Sequence, residues 1–142
     1  MSEIYKALYR RMFEEVWAGE LDVADEILDP TYVAYGLGVE LPPGPEGFKM
    51  FVAAYRSAFP DIVMTIKDQI AEGDKVVTRW TATGTHKGEL MGIPATGKEI
   101  VVHGVNISRF VGDKLLEAWN SWDGLGMMQQ LGVIPPMGEG GE

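Results

Sequence analysis

Few side chains in this chain can do chemistry near neutral pH, and that scarcity narrows the choices. There is no cysteine, which removes thiolate nucleophiles, thiolate metal ligands and disulfides. The two histidines, His86 and His103, lie far apart without an H-x-x-x-H spacing, so a structural zinc site is not expected. The first-choice acid/base residue is Asp123, at the end of the last strand that the pattern predicts. A carboxylate facing a partly apolar cavity has its pKa raised by desolvation, toward the range useful for taking a proton from a carbon next to a carbonyl. A competing role exists for the same carboxylate. Asp at a strand-to-helix junction is a favoured N-cap, and the Gly124–Leu131 segment follows directly.

Around Asp123 the sequence offers candidate ligand contacts. Trp119 and Trp80 are possible aromatic walls for a flat substrate. Asn106, in the middle of a strand, could bond a substrate carbonyl or enolate, because an inward amide needs a partner. Tyr35 and His86 complete the candidate set, with His103 weaker. Glu117 is no close partner for Asp123, since six residues of strand span about 20 Å.

The elements that must position these groups follow from periodicity. Residues 3–18 read as a helix with Ile4, Leu8, Met12 and Val16 on one line, widened by Tyr5, Tyr9, Phe13 and Trp17. A short helix over about 22–28 stops before Pro30, and a short strand over 31–35 is possible. A third helix runs from Glu46 to Phe59 after a Gly/Pro-rich loop. Beyond Pro60 the period changes to two, giving strands over about 62–71, 75–86, 99–110 and 114–123. Helices first and a meander of antiparallel strands afterwards is an α+β layout: a curved antiparallel sheet wrapped around three helices as a cone with a pocket. One domain over 1–137 and a disordered tail over 138–142 are expected.

The last hairpin predicts which side chains share a face. A two-residue turn at Gly112-Asp113 pairs Val111 with Lys114, and regular alternation then sets Ser108 opposite Glu117, Asn106 opposite Trp119, and Val102 opposite Asp123. That mixed face is the expected pocket lining. The face with His103, Val105, Ile107, Leu116 and Ala118 is the expected outer one, a surface for a homodimer. A bulge would reverse the parity beyond it.

Several stretches carry a family likeness. Phe13-Glu-Glu-Val-Trp17, Leu28-Asp-Pro-Thr-Tyr-Val33, Ala58-Phe-Pro-Asp61, the Gly84–Gly97 run and Trp119-Asn-Ser-Trp-Asp123 resemble the SnoaL-like polyketide (ester) cyclases over about residues 5–133. The resemblance implies a nuclear-transport-factor-2-like cone, usually dimeric through its outer sheet face. It also implies metal-free, cofactor-free aldol ring closure, with the aspartate of the Trp-x-x-x-Asp pattern as acid/base. Tyr35 stands where relatives often carry histidine, which removes a group titrating near neutral pH. The Asp-Arg-Asp set of the similarly folded limonene epoxide hydrolases is missing, with Trp80, Ala82 and Ser121 near its places. Hence the expectation is a cofactor-independent, cyclase- or isomerase-like catalyst. The alternative is a non-catalytic binder of the same small apolar ligand.

Bulk properties exclude other classes. The net charge of −9 opposes binding to nucleic acid and to anionic membranes. No apolar run approaches the roughly 20 residues of a bilayer span. A signal-peptide layout is lacking at Met1–Lys6, so cytoplasm is the default expectation.

Overall fold

The computed structural model describes residues 2–135, so the 138–142 tail lies outside the described residues. Helix α1 (Ser2–Arg11) runs on into a single π-helical turn (Met12–Val16), followed by α2 (Val23–Ile27), β1 (Leu28–Tyr35) and α3 (Pro45–Ala58). Four long strands come next, β2 (Val63–Glu72), β3 (Lys75–Thr85), β4 (Glu99–Val111) and β5 (Lys114–Trp122), and α4 (Gly124–Leu131) closes the fold. The five strands form one sheet in the order β1-β5-β4-β3-β2. The α+β expectation therefore holds, with one refinement. β1 is longer than its sequence pattern suggests and pairs in parallel with β5, which makes the sheet mixed.

Alternation creates the two faces of this sheet. Along β3 and β4 every second residue is buried: Val76, Thr78, Trp80 and Ala82 on one strand, Ile100, Val102, Asn106, Ser108 and Phe110 on the other. The helices cover that face. Their aromatic stripe supplies Tyr5, Tyr9, Phe13 and Trp17, all buried, with Tyr5 stacked on Phe110 at 4.6 Å between ring centroids. Burying such side chains contributes roughly 1.5–3 kcal/mol each, which is why packing and not helix propensity holds α1 in place. The 3.6-residue period ends at the π turn, where an extra residue per turn realigns the stripe.

Bulges bend the sheet around its load. One lies in β2 between Ile66 and Asp68, and one in β5 between Leu115 and Glu117. The second decides which residues face the cavity. After Phe110 pairs with Leu115, Arg109 pairs with Glu117, leaving Leu116 as the extra residue. Ser108 then faces Ala118, Asn106 faces Asn120 and Gly104 faces Trp122. Regular alternation gives the opposite parity for β5, so Glu117, Trp119 and Ser121 are corrected to the outer face and Ala118, Asn120 and Trp122 to the inner one. The β4 assignment stands, with His103, Val105, Ile107 and Arg109 outside.

Candidate active site

An apolar cavity lies between the helices and the inner sheet face. Tyr9, Phe13 and Trp17 come from the first helical segment, Phe48, Phe51 and Tyr55 from α3, and Trp80, Asn106, Asn120 and Trp122 from the sheet. Met12, Met64 and Met127 are also part of the wall. Of its space, about 70 Å³ is free for a water-sized body, within about 720 Å³ of atom-free volume counted out to the open mouth. A sizeable ligand must therefore extend toward the mouth or part these side chains. Methionine, unbranched and rotatable, makes such parting inexpensive.

No carboxylate, histidine, lysine or arginine lines the cavity. Its titratable wall groups are tyrosines, which burial keeps protonated. Desolvation, aided by the neighbouring Tyr32, drives the Tyr9 hydroxyl far above the ordinary phenol range. Desolvation does the same to Tyr32 and pushes Tyr55 up to about 12.

The polar atoms of this wall are unusual. Trp80 Nε1 and Asn106 Oδ1 in the wall, and Ser108 Oγ at the next inward position of β4 behind it, are all buried without a hydrogen-bond partner. The Tyr9 hydroxyl lies beside Asn106 and Ser108, yet neither of those two oxygens gains a well-aligned bond. Each such orphan costs about 1–3 kcal/mol. Trp80 is held by shape: its indole lies against Gly104, where an added Cβ would come within 2.2 Å of the ring. On the other side Phe13 sits at 6.0 Å between centroids. The indole cannot turn away from the cavity without displacing one of them.

Of the candidate residues from the sequence, the structure brings Trp80 and Asn106 together in the cavity wall. Trp119 and Tyr35 fall elsewhere. They stack on each other at 5.8 Å on the outer sheet face, both about 40% exposed, because the β5 bulge turns Trp119 outward and β1 follows in register. His86 is fully buried but serves the loop after β3. Its Nδ1 accepts the Thr96 N–H at 3.2 Å and meets Thr96 Oγ1 at 3.0 Å, while its ring packs on Phe59. His103 is outside, bonded through Nδ1 to Thr81 Oγ1 at 3.0 Å.

Asp123 is exposed and caps α4, with Oδ1 accepting the Gly126 N–H at 2.8 Å. Gly126 permits this, since a Cβ there would stand 2.2 Å from the carboxylate. The expected place of Asp123 on the cavity face, opposite Val102, is corrected: the bulge reverses its parity too, and it is adjacent in the chain to the wall residue Trp122 without lining the cavity itself. Asp61, Glu14 and Glu99 also adjoin wall residues in the chain, Ile62, Phe13 and Ile100, and of these Asp61 is the one held most firmly. Both of its oxygens accept bonds from Thr85, from the backbone N–H and the hydroxyl, each at 2.7 Å, and those bonds hold its pKa below the ordinary range.

Sequence reasoning passes over Tyr9, Asn120 and Trp122. The four-residue spacing of Tyr5, Tyr9, Phe13 and Trp17 does signal an aromatic inner wall, and Tyr9 is its member beside the polar atoms. Asn120 and Trp122 depend on the bulge, and no residue type at Leu116 announces it. Asn120 also fixes the rim, donating through Nδ2 to the Tyr35 carbonyl at 2.9 Å.

A curved mixed sheet closed over three helices around an apolar cavity defines the nuclear-transport-factor-2-like class. Within it, residues 7–131 match the model of the SnoaL-like polyketide cyclases, and the chain belongs to that family. It is 31% identical over 136 residues to the aklanonic acid methyl ester cyclase DnrD of Streptomyces peucetius, covering 94% of each chain. Among solved structures it resembles TsrD of Streptomyces laurentii, with a TM-score of 0.83, 29% identity, and coverage of 93% of this chain and 97% of that one. IdmH of Streptomyces antibioticus is similar at a TM-score of 0.76 and 31% identity, with 90% and 98% covered. Among the described residues no helix is long and apolar enough to cross a membrane, and no cluster of three or more His, Asp or Glu could hold a metal.

Proposed function

We propose that this chain is a cofactor-independent acid/base catalyst that closes a ring in a small apolar carbonyl substrate by intramolecular aldol addition. The observation that carries the reading is a cavity without a carboxylate or histidine of its own, with Asp123 standing in the chain directly after its wall residue Trp122. Asp61 has both oxygens engaged, whereas the Asp123 cap bond runs to Oδ1 alone. Asp123 Oδ2 takes a proton from the carbon flanked by the substrate's carbonyls, and the Asn106 Nδ2–H steadies the enolate oxygen. The enolate carbon then attacks the second carbonyl, forming the ring bond, and the new alkoxide recovers the proton from Asp123. Membership of the cyclase family and the likeness to a methyl ester cyclase support this reaction class.

A second reading, a binder without chemistry, is favoured by the capping bond of Asp123. One variant separates the two. Asparagine caps helices as well as aspartate does, so Asp123→Asn should stay folded. Under the catalytic reading it loses about 10²–10⁴-fold in the rate of ring closure of a diketo ester, the usual worth of one positioned base. Full turnover by the folded variant would leave only the binder.

The homodimer belongs to the same proposal. Tyr35, Trp119, Ile107, Val77 and Ile70 form one register row across all five strands of the outer face. Four of them are 38–67% exposed. An apolar row of this length favours a second copy as its cover. Sedimentation at rising concentration tests it, and a strictly monomeric chain would refute it.

A further inference from the structure

Resting on the reading of the cavity as a substrate site, we propose that its inner wall selects a ligand whose buried end bears a hydroxyl, phenolic or enolic, and not a bare carbonyl. The argument starts from what the orphaned atoms can accept and donate. Trp80 Nε1–H is a donor only, and Asn106 Oδ1 is an acceptor only. A ligand carbonyl would satisfy the indole and leave the amide oxygen unpaired. A hydroxyl donates one bond and accepts others, so a single oxygen can complete both groups.

Their placement on the sheet is close. Trp80 pairs with Gly104, its ring lies against that glycine, and Asn106 stands two positions further on the same face of β4. Both residues line the cavity and are more than nine-tenths buried. The surrounding protein leaves the amide oxygen without an aligned bond. Thr78, opposite Asn106, accepts from Gln69 Nε2 at 3.3 Å and makes no bond to Asn106, and the Tyr9 hydroxyl lies beside Asn106 without an aligned bond to its oxygen. The other walls are mostly apolar, their polar groups being Asn120 and the tyrosines Tyr9, Tyr32 and Tyr55.

The pattern of donors also fixes the charge of the ligand. No lysine or arginine lines the cavity, so an ionised carboxylate or phosphate would enter without a counter-charge, at a large desolvation cost. The selected ligand is neutral, flat enough for the aromatic walls, and hydroxylated at its inner end.

Three probes of nearly equal shape test this: phenol, toluene and benzaldehyde, titrated into the intact protein while the indole N–H signals are followed by nitrogen–proton NMR. The Trp80 signal is assigned with Trp80→Phe. Phenol should bind at least about tenfold tighter than the other two, the factor expected when one buried acceptor is left unpaired, and should move the Trp80 N–H signal. The preference should vanish in Asn106→Leu, which still takes toluene. Benzaldehyde or toluene binding as tightly as phenol would overturn the hydroxyl selection and leave the cavity as a site. Failure of all three to perturb any wall residue would overturn the substrate-site reading itself.

Discussion

The two faces of the sheet handle polar groups in opposite ways. On the outer face they are paired with one another. Arg79 holds Asp68 at 2.9 Å, Arg109 holds Glu117 at 2.7 Å, and Thr81 holds His103. On the inner face Trp80 Nε1, Asn106 Oδ1 and Ser108 Oγ have no partner, although these are the positions where a missing bond costs most. Solvent would have satisfied the outer groups anyway. The inverted arrangement costs stability on the inner wall, as the proposed ligand site would require.

That contrast can be broken at graded strength. The largest effect should come from the apolar inner wall. Phe59, fully buried against Tyr55 and His86, should cost about 3–5 kcal/mol as Phe59→Ala in chemical denaturation. Gly104→Ala comes next, at about 1–3 kcal/mol, because its methyl would overlap the Trp80 ring. A cost near zero would mean the indole has somewhere else to go. The outer pairs should matter less. Replacing Glu117 by Gln weakens a partly buried pair on the outer face, by about 1 kcal/mol, and the loss should shrink in high salt. The smallest effect should have the reverse sign. Ser108→Ala removes a buried hydroxyl without a partner and should raise stability by up to about 1 kcal/mol. Destabilisation there would show that the hydroxyl is satisfied in solution and would erase the contrast between the faces.

Alkaline pH offers a test of the same wall without mutation. Tyr9, Tyr32 and Tyr55 have folded-state pKa values raised by burial above the unfolded value of 10.0. Above pH 10 the unfolded chain releases these protons while the folded one retains them, so stability is intact below that point and falls as pH rises through it. A flat stability profile up to pH 12 would mean that these hydroxyls reach water.

How much of this was legible in the sequence divides along the last hairpin. Alternation on β4 placed Asn106 inside and His103 outside correctly, because nothing interrupts the strand. The same alternation failed on β5, since one extra residue at Leu116 reverses every side chain beyond it. Bulges arise from strain in the curved sheet, a tertiary cause without a local residue signature. Trp80 was visible as an inward aromatic, and Gly104, which seats it, was not, because a glycine in a strand does not say what leans on it. His86 drew attention as a rare titratable group, yet its ring is engaged by a loop several residues along the chain.

One contact bears on how α4 behaves over time. Gln130, in its last turn, grips the backbone of Val101, accepting its N–H at 2.7 Å and donating to its carbonyl at 2.9 Å. In effect a side-chain amide continues the β5 ladder after that strand has ended. The helix is therefore moored twice, by Asp123 at its start and by Gln130 near its end, and only the first mooring involves a group that can change its charge. Replacing that carboxylate, as in Asp123→Ala, would free the bow and leave the stern tied, and a helix held at its stern alone frays from the bow.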